Sequence, residues 1–203
     1  MNNQTSLQRY FVQVEEAITA GRQFESARTT EEALLHYNVA LAMLEVLAAS
    51  TNEKHRLHQL LAHVHDRLGR IYLVGLDCTK AALHLEAALV GYDRLFGSGS
   101  IRSFEMSVLL AEACVRGGRA VAGQAAAKAA VAMLEQVEDY RSSSAVYAYF
   151  WLYRSEMMLE NREAAAAAAA AAREMGAYLV AHPDVLNDGT MGLLLREVAT
   201  LKG

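Results

Sequence analysis

The chain has 203 residues, 53% apolar and 21% charged, with one proline and a formal net charge of −4. A net negative chain carries no sequence-wide basic field for a phosphate backbone, which argues against nucleic acid as a partner. The most apolar run, Ala164 to Ala172, is nine residues long, too short for a membrane span, so no membrane partner is expected either.

The polar start Met1-Asn2-Asn3-Gln4-Thr5 does not read as a signal peptide. Cys78 and Cys114 lack a C-x-x-C spacing, which fits a reduced, cytoplasmic compartment. An initial Met and the polar end Leu201-Lys202-Gly203 suggest a small complete chain.

In chain order, a first helix is expected from about Leu7 to Ala27 and a second from about Glu31 to Ala48, with Thr29-x-x-Glu32 as a capping box. A polar stretch from Ser50 to His55 follows, in which Ser50-x-x-Glu53 suggests another cap. Helices from about Lys54 to Val74 and Thr79 to Phe96 turn through Gly75 and Asp77, and Gly97-Ser98-Gly99-Ser100 is the clearest break. A third pair turns at Gly117-Gly118 and a fourth at Glu160-Asn161. The last helix, about Thr190 to Leu201, would cap the open end. The alanine run falls on the second helix of the fourth pair, where alanine's high propensity and small size suit close packing rather than disorder. Its partner helix supplies the bulk through Tyr147, Tyr149, Phe150, Trp151 and Tyr153, a cluster more often core than binding site.

The pairs repeat one pattern. Ala20-Gly21-x-x-Phe24 with Ala33, Tyr37 and Ala40 recurs as Leu68-Gly69-x-x-Tyr72 with Ala81, Leu85 and Ala88. It recurs again as Leu110-Ala111 with Gly118, Gly123, Ala127 and Ala130, then as Leu152-Tyr153 with Ala165, Ala169 and Ala172. The later copies are spaced by 42 residues, and the first step is 48 because of the insertion near Ser50. A fixed period of this size marks a helical solenoid.

The pattern resembles the tetratricopeptide repeat over about residues 14 to 175, with lengthened copies similar to those of the kinesin light chain family. Ala88-Leu89, Leu95-Phe96-Gly97 and the turn Ala181-His182-Pro183-Asp184-Val185 are similar to that family's spacing and inter-repeat turn. The resemblance implies an all-α, right-handed α-solenoid of about four helix hairpins plus a C-terminal capping helix. It would form one domain over 1–203, with repeats at about 7–49, 54–97, 102–138 and 142–181 and the cap at 190–201. The family's groove asparagine is replaced by Thr19, Arg67, Leu109 and Trp151, so its cargo specificity does not carry over.

By the same resemblance, the first helix of each repeat lines a concave groove. Its ninth positions are Arg22, Arg70, Glu112 and Arg154. Nearby would lie His63, Asp66 and Arg67, then Arg116, then Tyr147 and Phe150. Arginine's planar fork suits carboxylates and carbonyls, so the expected partner is a protein or peptide segment with acidic residues. Alternatively, these arginines pair with Glu15, Asp66, Glu105 and Glu112 on adjacent helices. The lysine and asparagine set of the chaperone-type carboxylate clamp is absent, so an EEVD-like carboxy-terminal ligand is not expected.

No chemistry competes well with binding. His55, His58, His63 and His65 are dense, but His63 is turned away from the others and no cysteine or carboxylate completes a zinc set, so no metal is expected. His182-Pro183-Asp184 lacks the basic helix of a J-domain, and Gly97-Ser98-Gly99-Ser100 lacks the third glycine of a dinucleotide loop. There is no G-x-S-x-G or H-E-x-x-H, and neither enzyme activity nor a cofactor is expected. Glu156 stands where the repeat prefers an aromatic; Arg154, Arg162 or a tyrosine hydroxyl would satisfy it, or the fourth repeat is out of register. Three function classes follow: a scaffold or adaptor, a peptide- or ligand-responsive regulatory module, and a self-associating subunit of a larger complex.

Overall fold

The computed structural model describes residues 3–136, 142–182 and 191–201. Among them there are nine helices and no strand. Two compact units divide the chain, 1–102 and 103–203. In the first, α1 (Asn3–Ser26), α2 (Thr30–Ala48), α3 (Lys54–Val74) and α4 (Cys78–Phe96) pack each against the next. α5 (Ile101–Arg116) carries the chain into the second unit, with α6 (Ala120–Leu134), α7 (Ser143–Met158), α8 (Arg162–Ala181) and α9 (Met191–Ala199). There α6 packs on α7, α7 on α8 and α8 on α9. No described helix is long and apolar enough to cross a membrane.

Four hairpins close with the same turn. Arg28, Leu76, Gly118 and Glu160 all have positive φ, between 59° and 75°, and stand 48, 42 and 42 residues apart. The next residue's N–H reaches back five residues: Thr29 to Phe24, Asp77 to Tyr72, Arg119 to Cys114 and Asn161 to Glu156, at 2.7 to 3.0 Å. This six-to-one bond, with the shorter bond inside it, is the Schellman close of a helix. It places Glu156 in register with Phe24 and Tyr72, so the fourth repeat is not displaced.

From that turn the second helix of each pair buries the same positions. Ala33, Ala81, Gly123 and Ala165 are buried, as are Tyr37, Leu85, Ala127 and Ala169, and then Ala40, Ala88, Ala130 and Ala172. Size is traded across the pair. A Cβ on Gly21 would stand 3.0 Å from the Tyr37 ring and one on Gly69 2.7 Å from Leu85, whereas the equivalent positions are Ala111 with Ala127 and Tyr153 with Ala169. Alanine in α8 thus leaves room for the large side chains of α7.

Three local expectations are corrected. Thr29 makes no capping box, because its hydroxyl donates to the Phe24 carbonyl at 3.1 Å inside the turn. α3 begins after Glu53, and Thr51 rather than Ser50 accepts the Glu53 N–H, at 3.0 Å. Glu156 is 1% exposed and meets neither Arg154 nor Arg162. It accepts from Gln124 Nε2 at 2.8 Å and Asn161 Nδ2 at 3.1 Å, with Lys128 Nζ 3.1 Å from Oε1 as an ion contact outside hydrogen-bond geometry. One carboxylate therefore ties α6, α7 and the start of α8. Pro183, Asp184 and Thr190 lie outside the described residues, as do 137 and 138 at the expected end of the third repeat.

A non-glycine residue held at positive φ costs about 1–2 kcal/mol, of which glycine's looser unfolded chain recovers part. Leu76→Gly and Glu160→Gly should each stabilise the chain by about 0.5–1 kcal/mol in urea unfolding, and Gly118→Ala should destabilise it by about 1 kcal/mol. Glu156→Gln keeps one oxygen for the two amide donors but turns an NH2 towards the Lys128 ammonium, and should cost about 1–3 kcal/mol by the same measurement.

Candidate functional site: two hollows between first helices

Half of the expected groove residues come together in the second unit. Glu112, Arg116, Tyr147, Phe150 and Arg154 line an open groove of about 780 Å³, joined by Val115, Gly118, Trp151, Met158, Leu193, Leu194 and Glu197. α5, α7 and α9 all contribute side chains to its lining. Phe150 and Trp151 meet edge to face, with centroids 5.0 Å apart, and the Arg154 guanidinium lies 6.0 Å from the Phe150 ring centre. Leu193 leaves 75% of its surface in solvent. Trp151 Nε1 is shut from solvent and finds no hydrogen-bond acceptor among the described residues.

The groove's charges are balanced. Arg116 pairs with Glu112 at 2.7 Å within α5, and Arg154 with Glu197 of α9 at 3.5 Å. Burial raises the Glu112 carboxyl above its ordinary range, and Arg116 opposes that rise. Arg154 and Glu197 are both about half exposed. An ion pair of that kind contributes about 0.2–1 kcal/mol, so an incoming carboxylate could take Glu197's place.

Three other expected residues meet in the first unit. Arg22, His63 and Arg67 line a hollow of about 320 Å³ with Glu25 and Ser26. Arg67 grips Glu25 through Nε and Nη2, and Tyr37 donates its hydroxyl to the same carboxylate at 3.1 Å. Burial and the Glu25 charge push the Tyr37 phenol up to about 12. Asp66 and Arg70 instead form a brace: buried Asp66 accepts from Arg70 Nε at 2.5 Å and from Tyr92 at 3.3 Å. Asp66 and Glu112 do pair with arginines, Arg70 and Arg116, but within single helices and not across adjacent ones as expected, and Glu15 is taken by Arg56 at 2.6 Å.

The two hollows occupy equivalent places. Arg22, Glu25 and Ser26 stand 90 residues before Glu112, Val115 and Arg116, and His63 and Arg67 stand 84 before Tyr147 and Trp151. Each is framed by the last turns of one first helix and by the body of the next. At the equivalent positions the first carries Arg22, His63 and Arg67, and the second Glu112, Tyr147 and Trp151.

The histidine cluster resolves differently from its spacing. His65 turns to His84 on α4, Nδ1 to Nδ1 at 3.0 Å, and His84 stacks on Tyr72 with ring centres 5.5 Å apart. Among the described residues no group of three or more His, Cys, Asp or Glu could hold a metal ion. Leu193, Leu194 and Glu197 were legible only as a cap, although the run Leu193-Leu194-Leu195 on so short a helix exceeds what one buried face needs.

Burial, and then the neighbouring His84, push His65 down to about 4, and burial with Lys80 lowers His84. An unfolded histidine titrates near pH 6.5, so below that pH the unfolded chain binds more protons than the folded one and stability falls with pH. Urea midpoints should drop between about pH 6.5 and 4, and His65→Gln should flatten that slope. No protein-family model matches the chain, and no curated protein matches it.

Proposed function

We propose that the chain is a right-handed α-solenoid of four tetratricopeptide-like hairpins capped by α9, acting as a non-enzymatic interaction module. Its partner is a peptide or helix lying in the groove of the second unit, with an apolar side chain on Tyr147, Phe150, Trp151 and Leu193 and a carboxylate replacing Glu197 on Arg154. The observation that carries this reading is the meeting of five residues, chosen by repeat position alone, in one open groove with an aromatic floor and a well-exposed leucine at its rim. The repeated Schellman turn supports the repeat assignment, because its 48-, 42- and 42-residue steps match the sequence period through backbone geometry. An exposed rim with weak ion pairs over a desolvated aromatic centre is where binding energy concentrates in an interface.

The test is recovery of partners by the immobilised full chain from extracts of its source cells, read by quantitative mass spectrometry. Arg154→Glu with Leu193→Asp should reduce recovery of the specific partner by at least about 10-fold. Val74→Asp, at a site 84% exposed in the first unit, should leave it unchanged. Equal recovery by the groove variant and the wild type would remove this groove from consideration.

A further inference from the structure

The hollow at Arg22, His63 and Arg67 is built unlike its counterpart in the second unit. Where Glu112 and two aromatic rings stand there, it carries two guanidiniums and an imidazole. We infer that it is a binding site for a tetrahedral oxyanion of the phosphate class, held by Arg22 of α1 and by Arg67 and His63 of α3.

Three observations support it. First, Arg22 makes no ion pair among the described residues, although it stands in the hollow with Glu25. Glu25 is already occupied by Nε and Nη2 of Arg67 and by the Tyr37 hydroxyl, so its charge is answered and the Arg67 guanidinium is fixed in place. Second, His63 lines the hollow with Nε2 shut from solvent and bonded to nothing among the described residues. A buried polar atom of this kind is costly while unbonded, so a small turn of the ring towards an anion in the hollow would relieve it. Third, the charges around His63 are mostly positive: Arg22 from α1, Arg67 on its own helix and Arg102 at the end of the first unit, against Asp66, which Arg70 already holds. Burial and Arg22 lower the His63 titration below the usual range, which favours the neutral ring at neutral pH.

The arithmetic of charge favours a dianion. Arg22 and Arg67 against Glu25 leave one positive charge, and protonation of His63 makes it two. A planar carboxylate is satisfied by one arginine fork, whereas here the Arg22 guanidinium, the Arg67 N–H groups that Glu25 leaves over and a protonated His63 offer donors from two helices, which suits the several acceptor oxygens of phosphate. Ser26 adds no donor, because its hydroxyl already donates to the Arg22 carbonyl at 2.9 Å. The site stands apart from the groove reading of the second unit, so either can fail alone.

The test follows the His63 ring by NMR in the full chain during pH titrations, with sodium sulfate as a dianion that keeps its charge across the range and sodium chloride at matched ionic strength as the control. Sulfate should raise the His63 titration by about one pH unit over chloride, equivalent to about 10-fold tighter binding to the protonated ring. At fixed pH, inorganic phosphate should shift the ring saturably, and Arg22→Gln should weaken that binding at least about 10-fold with an unchanged thermal midpoint. A parallel titration with O-phosphoserine identifies the source: tighter binding than phosphate points to a phosphorylated side chain, and weaker binding to the free anion. Equal effects of sulfate and chloride, or phosphate shifts that survive Arg22→Gln, would overturn the site.

Discussion

The structure depends on one backbone constraint, the six-to-one hydrogen bond that ends each first helix. Closing it requires a residue in the left-handed region, and three of the four turns place a residue with a Cβ there. That strain is of the order of 1–2 kcal/mol, and the two hydrogen bonds of the turn, at about 0.5–1.5 kcal/mol each, offset it. The geometry therefore persists without glycine. Because the turn recurs with one hydrogen-bond pattern, the second helix of each pair starts in the same register and buries the same positions, whichever side chains fill them.

That uniform backbone lets the chemistry vary. Packing volume moves across the pair, from Gly21 against Tyr37 and Gly69 against Leu85 to Tyr153 opposite Ala169. The same freedom applies to the hollows, where equivalent positions hold Arg22, His63 and Arg67 in one unit and Glu112, Tyr147 and Trp151 in the other. Buried polar pins, Asp66 between Arg70 and Tyr92 and Glu156 among Gln124, Lys128 and Asn161, fix neighbouring helices where small residues leave little apolar surface to do so.

The helices were legible in the sequence because their ends carry local signals: Gly75 to Asp77, Gly97 to Ser100 and Gly117-Gly118 stop or start a helix within a few residues. What was not legible depended on partners distant in sequence. His65 sits amid three histidines on its own helix yet bonds to His84, and Glu156 finds Gln124 and Lys128 on the preceding helix rather than the nearer arginines. Thr29 has the spacing of a capping box, but the turn's own carbonyl claims its hydroxyl. For the candidate site, repeat positions located the residues of the second-unit groove and could not foresee that α9, expected only as a cap, would line it. They also ranked Asp66 and Arg70 with the groove, since position alone does not distinguish a side chain facing a hollow from one satisfied within the helix pair.

The most direct measurement of the central claim is amide hydrogen exchange at the residues after each left-handed position, Thr29, Asp77, Arg119 and Asn161. These amides lie in surface turns between helices, where exchange is ordinarily fast. Bonded to the carbonyls of Phe24, Tyr72, Cys114 and Glu156, all four should be protected to a degree approaching that of the adjoining helices. Fast exchange at these positions, with the neighbouring helical amides protected, would contradict the account, because the hairpins would then be held by side-chain packing and not by a common turn.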